Sequence, residues 1–364
     1  MSNLLSSSQL TAVRFSNTGL LIPFDSAISA IQNAVGIQAQ QPFSANLNAL
    51  IRSTDSISQL DQQLSDSHQL VRSWGQRWTL HLFTRADFNL ITSARSTEKI
   101  PNSYYLNHKE QILMVADAIQ NSGIQTWTPT TLDAFLTTTF PEASANGRLK
   151  YVILQVITAR GAGFFTANSS TTKWIFELHS PEPLSLDDSI SKLILRYLDG
   201  FGPATLADFI KWASIKISIV RPIWQKVTHK LFQYKLMGSD SPLVSTRELS
   251  SEILSSLSDK LEAKPQIMAR FDSTMTGYVD KNWLVPVEYQ ATMWSKNGIL
   301  AAPIINHGKL IGHWRYIVKN TSLTVQVFTW QPLVKPDQVA LEQEFNQLSD
   351  KLNYNLNPIQ YQLV

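Results

Sequence analysis

A recurring order of helices followed by short strands is the feature of this sequence that most restricts its fold. In the first such stretch, apolar residues at helical spacing predict helices over residues 8–17, 25–34, 42–53 and 57–64. The spacing then changes, and residues 71–74 and 78–83 predict two short strands around Gly75-Gln76-Arg77. Helices followed by a two-stranded hairpin are typical of a winged helix, a helix-turn-helix variant whose later helix and hairpin can both approach DNA.

The same order recurs twice further along the chain. A second stretch predicts three helices and a wing strand, over residues 108–121, 130–136, 148–160 and 174–178. A third stretch predicts three helices, over residues 189–198, 203–210 and 218–230. Gly200 and Gly202 are expected to stop the first of these. Thr-Leu-Asp-Ala-Phe-Leu at 131–136 also resembles Thr-Leu-Ala-Asp-Phe-Ile at 205–210, which is consistent with internal duplication.

The character of the sequence changes after Ser239-Asp240-Ser241-Pro242. A helix is predicted over residues 246–261, and strands over 266–330 are separated by turn signals such as Asn306-His307-Gly308. Short strands at even spacing favour a small barrel or sandwich. After Pro336, a closing amphipathic helix is predicted to pack on it through Val339, Leu341, Phe345, Leu348 and Leu352.

The predicted fold class is therefore mainly α with α+β units, arranged as tandem winged-helix motifs followed by a small C-terminal β-barrel. A chain of 364 residues, 43% of them hydrophobic, is long enough to bury several cores. We expect winged-helix units at residues 1–95, 96–183 and 184–262. The barrel and its closing helix are expected at residues 263–364.

Composition excludes several kinds of site. The chain has no cysteine, which rules out disulfides, thiolate nucleophiles, cysteine zinc sites and iron–sulfur clusters. Its seven histidines lack metal-ligand spacing and no glycine-rich phosphate loop is present, so we predict neither a metal nor a cofactor. The net charge of +3 is compatible with a nucleic-acid partner. No apolar run is long enough to cross a bilayer and no signal pattern is present, so we expect a cytoplasmic protein without a membrane partner.

Two glutamines at alternate positions, Gln38 and Gln40, lie just before Pro42. The residue before a proline is pushed out of the helical region, so Gln41 should be extended and Pro42 should lie in the first turn of a helix. Alternate residues on extended backbone point the same way, so Gln38 and Gln40 could act together on one small target. On the residues alone, two ordinary surface-loop glutamines are the alternative interpretation.

Four separated stretches together resemble the AlkZ-like winged-helix DNA glycosylase family. The first two are Gly36-Ile37-Gln38-Ala39-Gln40-Gln41-Pro42 ahead of residues 47–52, and residues 72–82 with Arg-Trp-Thr-Leu-His-Leu at 77–82. The other two are residues 196–212 with Gly-Pro-Ala-Thr at 202–205, and the segment from Arg-Phe-Asp at 270–272 through Gly-Tyr at 277–278 to Gly-His-Trp-Arg at 312–315. Their order over most of the chain is more specific than any one of them.

The resemblance implies three tandem winged-helix units and a C-terminal barrel, cupped around double-stranded DNA, and we expect a monomer. It also implies monofunctional hydrolysis of the N-glycosidic bond of alkylated purines, including N7-guanine adducts and interstrand crosslinks, with Gln38 and Gln40 as the catalytic pair. The chain departs from the family pattern at three positions. Trp78 replaces a glycine, Gln41 replaces an acidic residue and Lys281 replaces an arginine.

A pair of amides is compatible with the chemistry that the resemblance implies. A guanine alkylated at N7 is already cationic and leaves readily, so the enzyme needs no strong general acid. A glutamine carbonyl can accept a hydrogen bond from the attacking water and face the developing oxocarbenium ion, while amide N–H groups anchor neighbouring oxygens. A crosslinked base is tethered to the opposite strand, so an open groove suits it better than a base-flipping pocket.

Six further residues are candidates for DNA binding: Arg52, Arg77, His81, Arg221, Lys226 and Asp272. Arg221 and Lys226 lie on the predicted 218–230 helix, for which a solvated face is the alternative. His81 could instead be a packing or capping histidine on its strand. Arg77 could be a solvent-exposed turn residue, and Asp272 could fix a turn by bonding backbone amides.

Two other classes of function are compatible with the winged-helix prediction. A transcription regulator would read a DNA groove with the 218–230 helix, although tandem units in one chain differ from a dimer on palindromic half-sites. A non-catalytic DNA-binding module would retain the fold alone. Binding to random and to lesion-bearing duplexes distinguishes both from a glycosylase.

Overall fold

The computed structural model of the protein describes residues 4–66, 69–141, 147–169 and 172–364. Within these residues the fold is a mixture of helices and sheets. The helices are α1 (Ser7–Asn17), α2 (Ala27–Asn33), α3 (Pro42–Ile51), α4 (Ile57–Leu64), α5 (Arg85–Ala94), α6 (Ser103–Asn107), α7 (Lys109–Gln120), α8 (Pro129–Thr139), α9 (Gly147–Ala159), α10 (Leu186–Phe201), α11 (Leu206–Ala213), α12 (Ile217–Thr228), α13 (Ser251–Ala263), α14 (Gln290–Met293) and α15 (Lys335–Leu352).

The strands of the same residues form three sheets. They are β1 (Leu4–Leu5), β2 (Ile37–Gln38), β3 (Leu70–Trp74), β4 (Leu80–Thr84), β5 (Thr126–Trp127), β6 (Gly163–Thr166), β7 (Phe176–Leu178), β8 (Phe232–Leu236), β9 (Pro242–Ser245), β10 (Gln266–Ile267), β11 (Ala302–Asn306), β12 (Lys309–Lys319), β13 (Ser322–Thr329), β14 (Asn355–Leu356) and β15 (Gln360–Leu363). None of the described helices has the length and apolar character that a membrane span requires.

The first repeat contains a short strand that the periodicity did not predict. Its order is α2, β2, α3, α4, β3 and β4, and β4 pairs antiparallel with both β2 and β3. The predicted hairpin is confirmed as β3 and β4, with the 3₁₀ turn Gln76–Trp78 between them. The pairing of β2 with β4 places the segment after α2 directly beside the hairpin.

The second and third repeats follow the same order. In the second, α7, β5, α8 and α9 precede β6 and β7, and β7 pairs with both β5 and β6. In the third, α10, α11 and α12 precede the β8–β9 hairpin, and a bridge between Ala204 and Val244 takes the place of the first short strand. β3 also pairs with β6, so the first two repeats share one six-stranded sheet. The N-terminal β1 pairs with β8, which joins the start of the chain to the third repeat.

The C-terminal strands form an open sheet. They pair along the path β10-β11-β12-β13-β14, and β15 also pairs with β13. The strands at the two ends of the path, β10 and β14, have two residues each and do not pair with each other. The closed barrel expected from the strand spacing is therefore not observed among the described residues.

The closing helix is confirmed as α15, and it packs on this sheet. Its buried residues include Leu341, Phe345, Leu348 and Leu352, and the Phe345 ring lies 5.1 Å from the Trp314 ring of β12 between centroids. Val339 is 40% exposed, so its predicted place in the interface is wrong. Val339 lies two residues before Leu341, so its side chain projects about 200° around the helix axis from the Leu341 side chain.

Three helix boundaries differ from the predictions for identifiable reasons. Gly200 does not stop α10, because its missing side chain lets α10 lie against the end of α2. A Cβ there would be 2.4 Å from the Asn33 carbonyl oxygen. α8 begins at Pro129 and is capped by Thr128, whose hydroxyl accepts the Thr131 N–H, so it starts earlier than Thr130. α13 begins only at Ser251, because Ser250 supplies the cap.

Candidate active site

Gln38 is the last residue of β2 and Gln40 follows two residues later, and their side chains meet. Gln41 is extended, with φ −116° and ψ 102°, and Pro42 is the first residue of α3, as predicted. Gln38 Nε2 donates a hydrogen bond to Gln40 Oε1 at 3.1 Å. The expectation that the two amides point the same way is therefore confirmed, and each amide fixes the orientation of the other.

The two glutamines differ in exposure. Gln38 is only 8% exposed, whereas Gln40 is exposed at the surface. Among the described residues, neither Gln38 Oε1 nor Gln40 Nε2 has a further hydrogen-bond partner. The pair therefore presents one carbonyl acceptor and one amide donor, which is the set that can hold and orient a single water molecule.

Two glycines and one phenylalanine set the spacing between the glutamines and the hairpin. Gly36 has φ +94°, and a Cβ at Gly36 would be 2.2 Å from the Phe83 ring. A Cβ at Gly75, on the other side, would be 2.3 Å from the same ring. Only glycine allows the backbone to approach this closely, so both segments lie directly against Phe83.

His81 is the cross-strand neighbour of Gln38. Its ring is 3% exposed and stacks on Phe83, and Nδ1 lies 2.8 Å from the Thr79 carbonyl oxygen. Burial, together with the positive charges of Arg77 and Arg95, lowers the pKa of His81 to about 3. At neutral pH the ring is therefore uncharged, donates Nδ1–H to Thr79 and keeps Nε2 as an acceptor.

Arg77 is held by the third repeat and the C-terminal unit. Its guanidinium donates to the Trp212 carbonyl at 3.1 Å and to Thr276 Oγ1 at 3.4 Å. Burial lowers its pKa to about 10, so it stays charged at neutral pH. The alternative of a freely solvated turn residue is therefore wrong, because the turn is anchored to two other parts of the protein.

Sequence reasoning missed Arg95, which lies next to this cluster. Its guanidinium donates to the Ala213 and Ser214 carbonyls and lies 5.0 Å from the centre of the Trp78 ring. Burial lowers the pKa of Arg95 to about 10. A lone arginine after the last residue of α5 gives no signal in the sequence, because the carbonyl groups that it bonds are more than a hundred residues away.

Arg52 and Asp272 form a buried ion pair instead of facing DNA. Arg52 Nη2 lies 2.6 Å from Asp272 Oδ2, and the two side chains are 4% and 0% exposed. Asp272 also accepts the Thr274 N–H, which confirms that it fixes a turn. The DNA-contact prediction for these two residues is not supported, since neither side chain is at the surface.

The ion pair is part of a set of contacts that hold α3, the helix directly after the glutamines. Asn48 Nδ2 donates to the Arg270 carbonyl at 3.0 Å. Lys351 of α15 donates to the Leu50 and Ser53 carbonyls, at 3.0 and 2.6 Å, and so caps the end of α3. The C-terminal unit therefore fixes the helix that begins directly after the glutamines.

Arg221 and Lys226 are exposed on α12, as their predicted role requires. The structure does not bring them into contact with Gln38 or Gln40. Among the described residues, no group of histidine and acidic side chains could hold a metal ion.

The whole fold is similar to that of a known DNA glycosylase. The structure of Streptomyces sahachiroi DNA glycosylase AlkZ matches with a TM-score of 0.80 and 19% sequence identity, over 100% of both chains. At this identity the match shows a common fold. A comparison with curated proteins found no match.

The sequence itself identifies the family. Residues 31–350 match the family described as DNA glycosylase AlkZ-like. The chain therefore belongs to this family, as its four sequence stretches indicated. It is a DNA repair enzyme that acts on N-glycosyl bonds.

Asp272→Ala should strongly destabilise the fold, because it leaves the Arg52 charge buried without a partner. We expect a loss of about 3–5 kcal/mol in the free energy of unfolding, measured by urea denaturation. The matched control is Asp117→Ala, which breaks the exposed pair with Arg160 and should cost less than about 1 kcal/mol. Equal losses in the two variants would contradict the structural role of the Arg52–Asp272 pair.

His81 should make the protein less stable in acid. Its pKa is lower in the folded chain than the ordinary value of about 6.5, so the unfolded chain binds a proton first as pH falls. This contribution to stability is complete above pH 6.5 and decreases from there towards pH 3. Between pH 7 and pH 5 the wild type should lose about 1–2 kcal/mol more than His81→Gln in urea denaturation. Parallel pH profiles would show that His81 is not buried as a neutral ring.

Proposed function

We propose that this glycosylase removes N7-alkylated guanine and related alkylated purines from duplex DNA by hydrolysis, with Gln38 and Gln40 as its catalytic residues. The observation that carries the proposal is the 3.1 Å hydrogen bond between the two amides, which leaves one acceptor and one donor free. Interstrand crosslinks through N7 of guanine belong to the same substrate class.

The proposed reaction needs an oriented water and no strong acid. The bond between C1′ and N9 breaks, the purine leaves with the bonding electrons and its own positive charge is neutralised. Water adds its oxygen to C1′, and the surplus proton passes to bulk water. Gln38 Oε1 accepts a hydrogen bond from this water and faces the developing cation, while the Gln40 amide N–H groups hold a neighbouring oxygen.

The neutral state of His81 supports this chemistry. A protonated imidazole beside Gln38 would repel both the cationic purine and the oxocarbenium ion. Because burial keeps the His81 ring uncharged, its Nε2 remains an acceptor next to the site. We therefore assign His81 and Arg77 to the positioning of the hairpin beside Gln38.

The finer description of the fold belongs to the same proposal. We infer that the three repeats are winged-helix units, since in the described part of each one three consecutive helices directly precede a hairpin, and a short strand or a bridge between the first two of these helices pairs with the last strand. In the third unit, α12 occupies the position of the recognition helix. We place the boundaries between these units and the C-terminal unit after residues 95, 183 and 262. The N-terminal strand β1 pairs with β8 of the third unit. We also propose that the enzyme acts as a cytoplasmic monomer on double-stranded DNA.

Single changes of either glutamine should abolish most of the turnover. Gln38→Ala and Gln40→Ala should each slow single-turnover release of 7-methylguanine from methylated duplex by roughly 10- to 1,000-fold. The double variant should be little slower, because residues that act as a unit are not additive. Gln40→Asp should keep part of the activity, with an altered lesion preference, because a carboxylate oxygen can still accept the hydrogen bond from Gln38 Nε2 while the Gln40 N–H groups are lost.

Gln62→Ala is the matched control, since Gln62 is an exposed amide on α4 of the same repeat. It should release 7-methylguanine at the wild-type rate. Unchanged single-turnover rates in the Gln38 and Gln40 variants, with DNA binding intact, would show that the chemistry lies elsewhere.

Loss of two exposed cations on α12 should weaken DNA binding without regard to sequence. Arg221→Ala combined with Lys226→Ala should reduce affinity for undamaged duplex and lower the slope of log affinity against log salt by about 2. Fluorescence anisotropy over a range of NaCl concentrations measures both effects. Lys260→Ala with Lys296→Ala removes two exposed lysines elsewhere and is the control. Equal slopes for both double variants would show that Arg221 and Lys226 lie on an ordinary solvated face and do not contact DNA.

A further inference from the structure

A cavity of about 420 Å³ opens between the first and second repeats, and four aromatic side chains line it. Trp74, Tyr151, Phe165 and Trp174 line it together with Leu80. The Trp74 ring lies 5.0 Å from the Tyr151 ring and 5.4 Å from the Phe165 ring, and Phe165 lies 5.7 Å from Trp174, between centroids. Trp74 Nε1 also donates to Tyr151 Oη at 2.9 Å. These contacts hold the aromatic wall in one arrangement.

The cavity lies on the opposite face of the sheet from the catalytic candidates. Trp74 of β3 pairs with Leu80 of β4, and both line the cavity. The next pair along the strands is Ser73 with His81, and His81 pairs with Gln38. Because successive strand residues point to opposite faces, the cavity is behind the amide pair. It is therefore a site separate from the one that receives the reacting nucleotide.

Arg72 supplies unused hydrogen-bond donors to this cavity. It lines the cavity and is 4% exposed, and its one hydrogen bond among the described residues runs from Nη1 to the Ser169 carbonyl at 2.6 Å. Its Nε has no partner there. Unpaired donors on a buried guanidinium are costly, so a ligand acceptor would be stabilised next to them.

The other charges at the cavity are already paired. Lys150 Nζ lies 2.6 Å from Asp133 Oδ1, and both residues line the cavity. Among the described lining residues, Arg72 is therefore the cation without an acidic partner. The site combines several aromatic rings with a planar donor group.

We propose that this cavity binds a guanine base. Aromatic side chains stack on the face of any nucleobase, and this stacking carries most of the affinity. Arginine N–H groups match O6 and N7 of guanine, whereas adenine presents an amino donor in place of O6. A cavity of this volume is large enough for a small planar ligand. The base can come from a free guanine nucleotide or from an unpaired guanine in DNA.

Isothermal titration of the full-length protein with GMP and with AMP tests the proposal. GMP should bind at least tenfold more tightly than AMP, and Tyr151→Ala should weaken GMP binding about tenfold or more through lost stacking. Tyr151 is 48% exposed, so its truncation leaves the core intact. Tyr361→Ala removes a tyrosine of similar exposure on β15 and should leave GMP binding unchanged. Arg72→Gln, checked for folding by circular dichroism, should remove the preference for GMP over AMP.

Two bulged duplexes, with one unpaired guanine or one unpaired adenine, distinguish the two sources of the base. A preference for the guanine bulge that Tyr151→Ala removes identifies a base in DNA. GMP binding without such a preference identifies a free nucleotide. Either of two results overturns the proposal if the two bulged duplexes also bind equally. One is equal affinity for GMP and AMP, and the other is GMP binding that Tyr151→Ala leaves unchanged. At saturating enzyme, the Tyr151→Ala variant should release 7-methylguanine at the wild-type rate in every case. The single-turnover rate depends on the amide pair and not on this cavity.

Discussion

The Arg52 and Asp272 charges are buried together where the first repeat meets the C-terminal unit, at a distance of 2.6 Å. Neither charge is stable in such a place without the other, because the desolvation of a lone ion costs several kcal/mol. The pair therefore holds the end of α3 and the loop before Thr274 in one relative position. Lys351, which caps the same helix from α15, has the same effect. Since Gln40 lies two residues before the start of α3, these contacts fix the backbone from which the catalytic candidates project.

A second constraint acts on the hairpin beside Gln38. Phe83 lies against Gly36 and Gly75, and Arg77 ties the turn to the third repeat and to Thr276. The result is a cluster with two buried guanidinium groups and a neutral imidazole. The positive charge is held in fixed positions by carbonyl and hydroxyl oxygens, and among the described residues no carboxylate forms an ion pair with it. The amide pair itself stays uncharged beside this positive cluster.

The sheet shared by the first two repeats separates two chemically different surfaces. One face carries Gln38 and His81, whose polar side chains are cross-strand neighbours. The other carries Trp74 and Leu80, where aromatic rings surround a cavity next to Arg72. Strand alternation alone produces this division, because a step of one residue along β3 or β4 moves a side chain from one face to the other.

The sequence by itself determined the local features of this protein. The proline at position 42 and the alternate spacing of Gln38 and Gln40 were sufficient to predict an extended segment with paired amides, since both effects act within a few residues. The repeated order of helices and hairpins was also readable, because it depends on local periodicity. Only the tertiary structure decided that Arg52 meets Asp272, 220 residues away, and that His81 is buried and neutral. It likewise decided that the C-terminal sheet stays open and that Arg95 joins the cluster. Burial and long-range pairing set these properties, and a pattern of residue types along the chain does not encode which distant groups will share a low-dielectric interior.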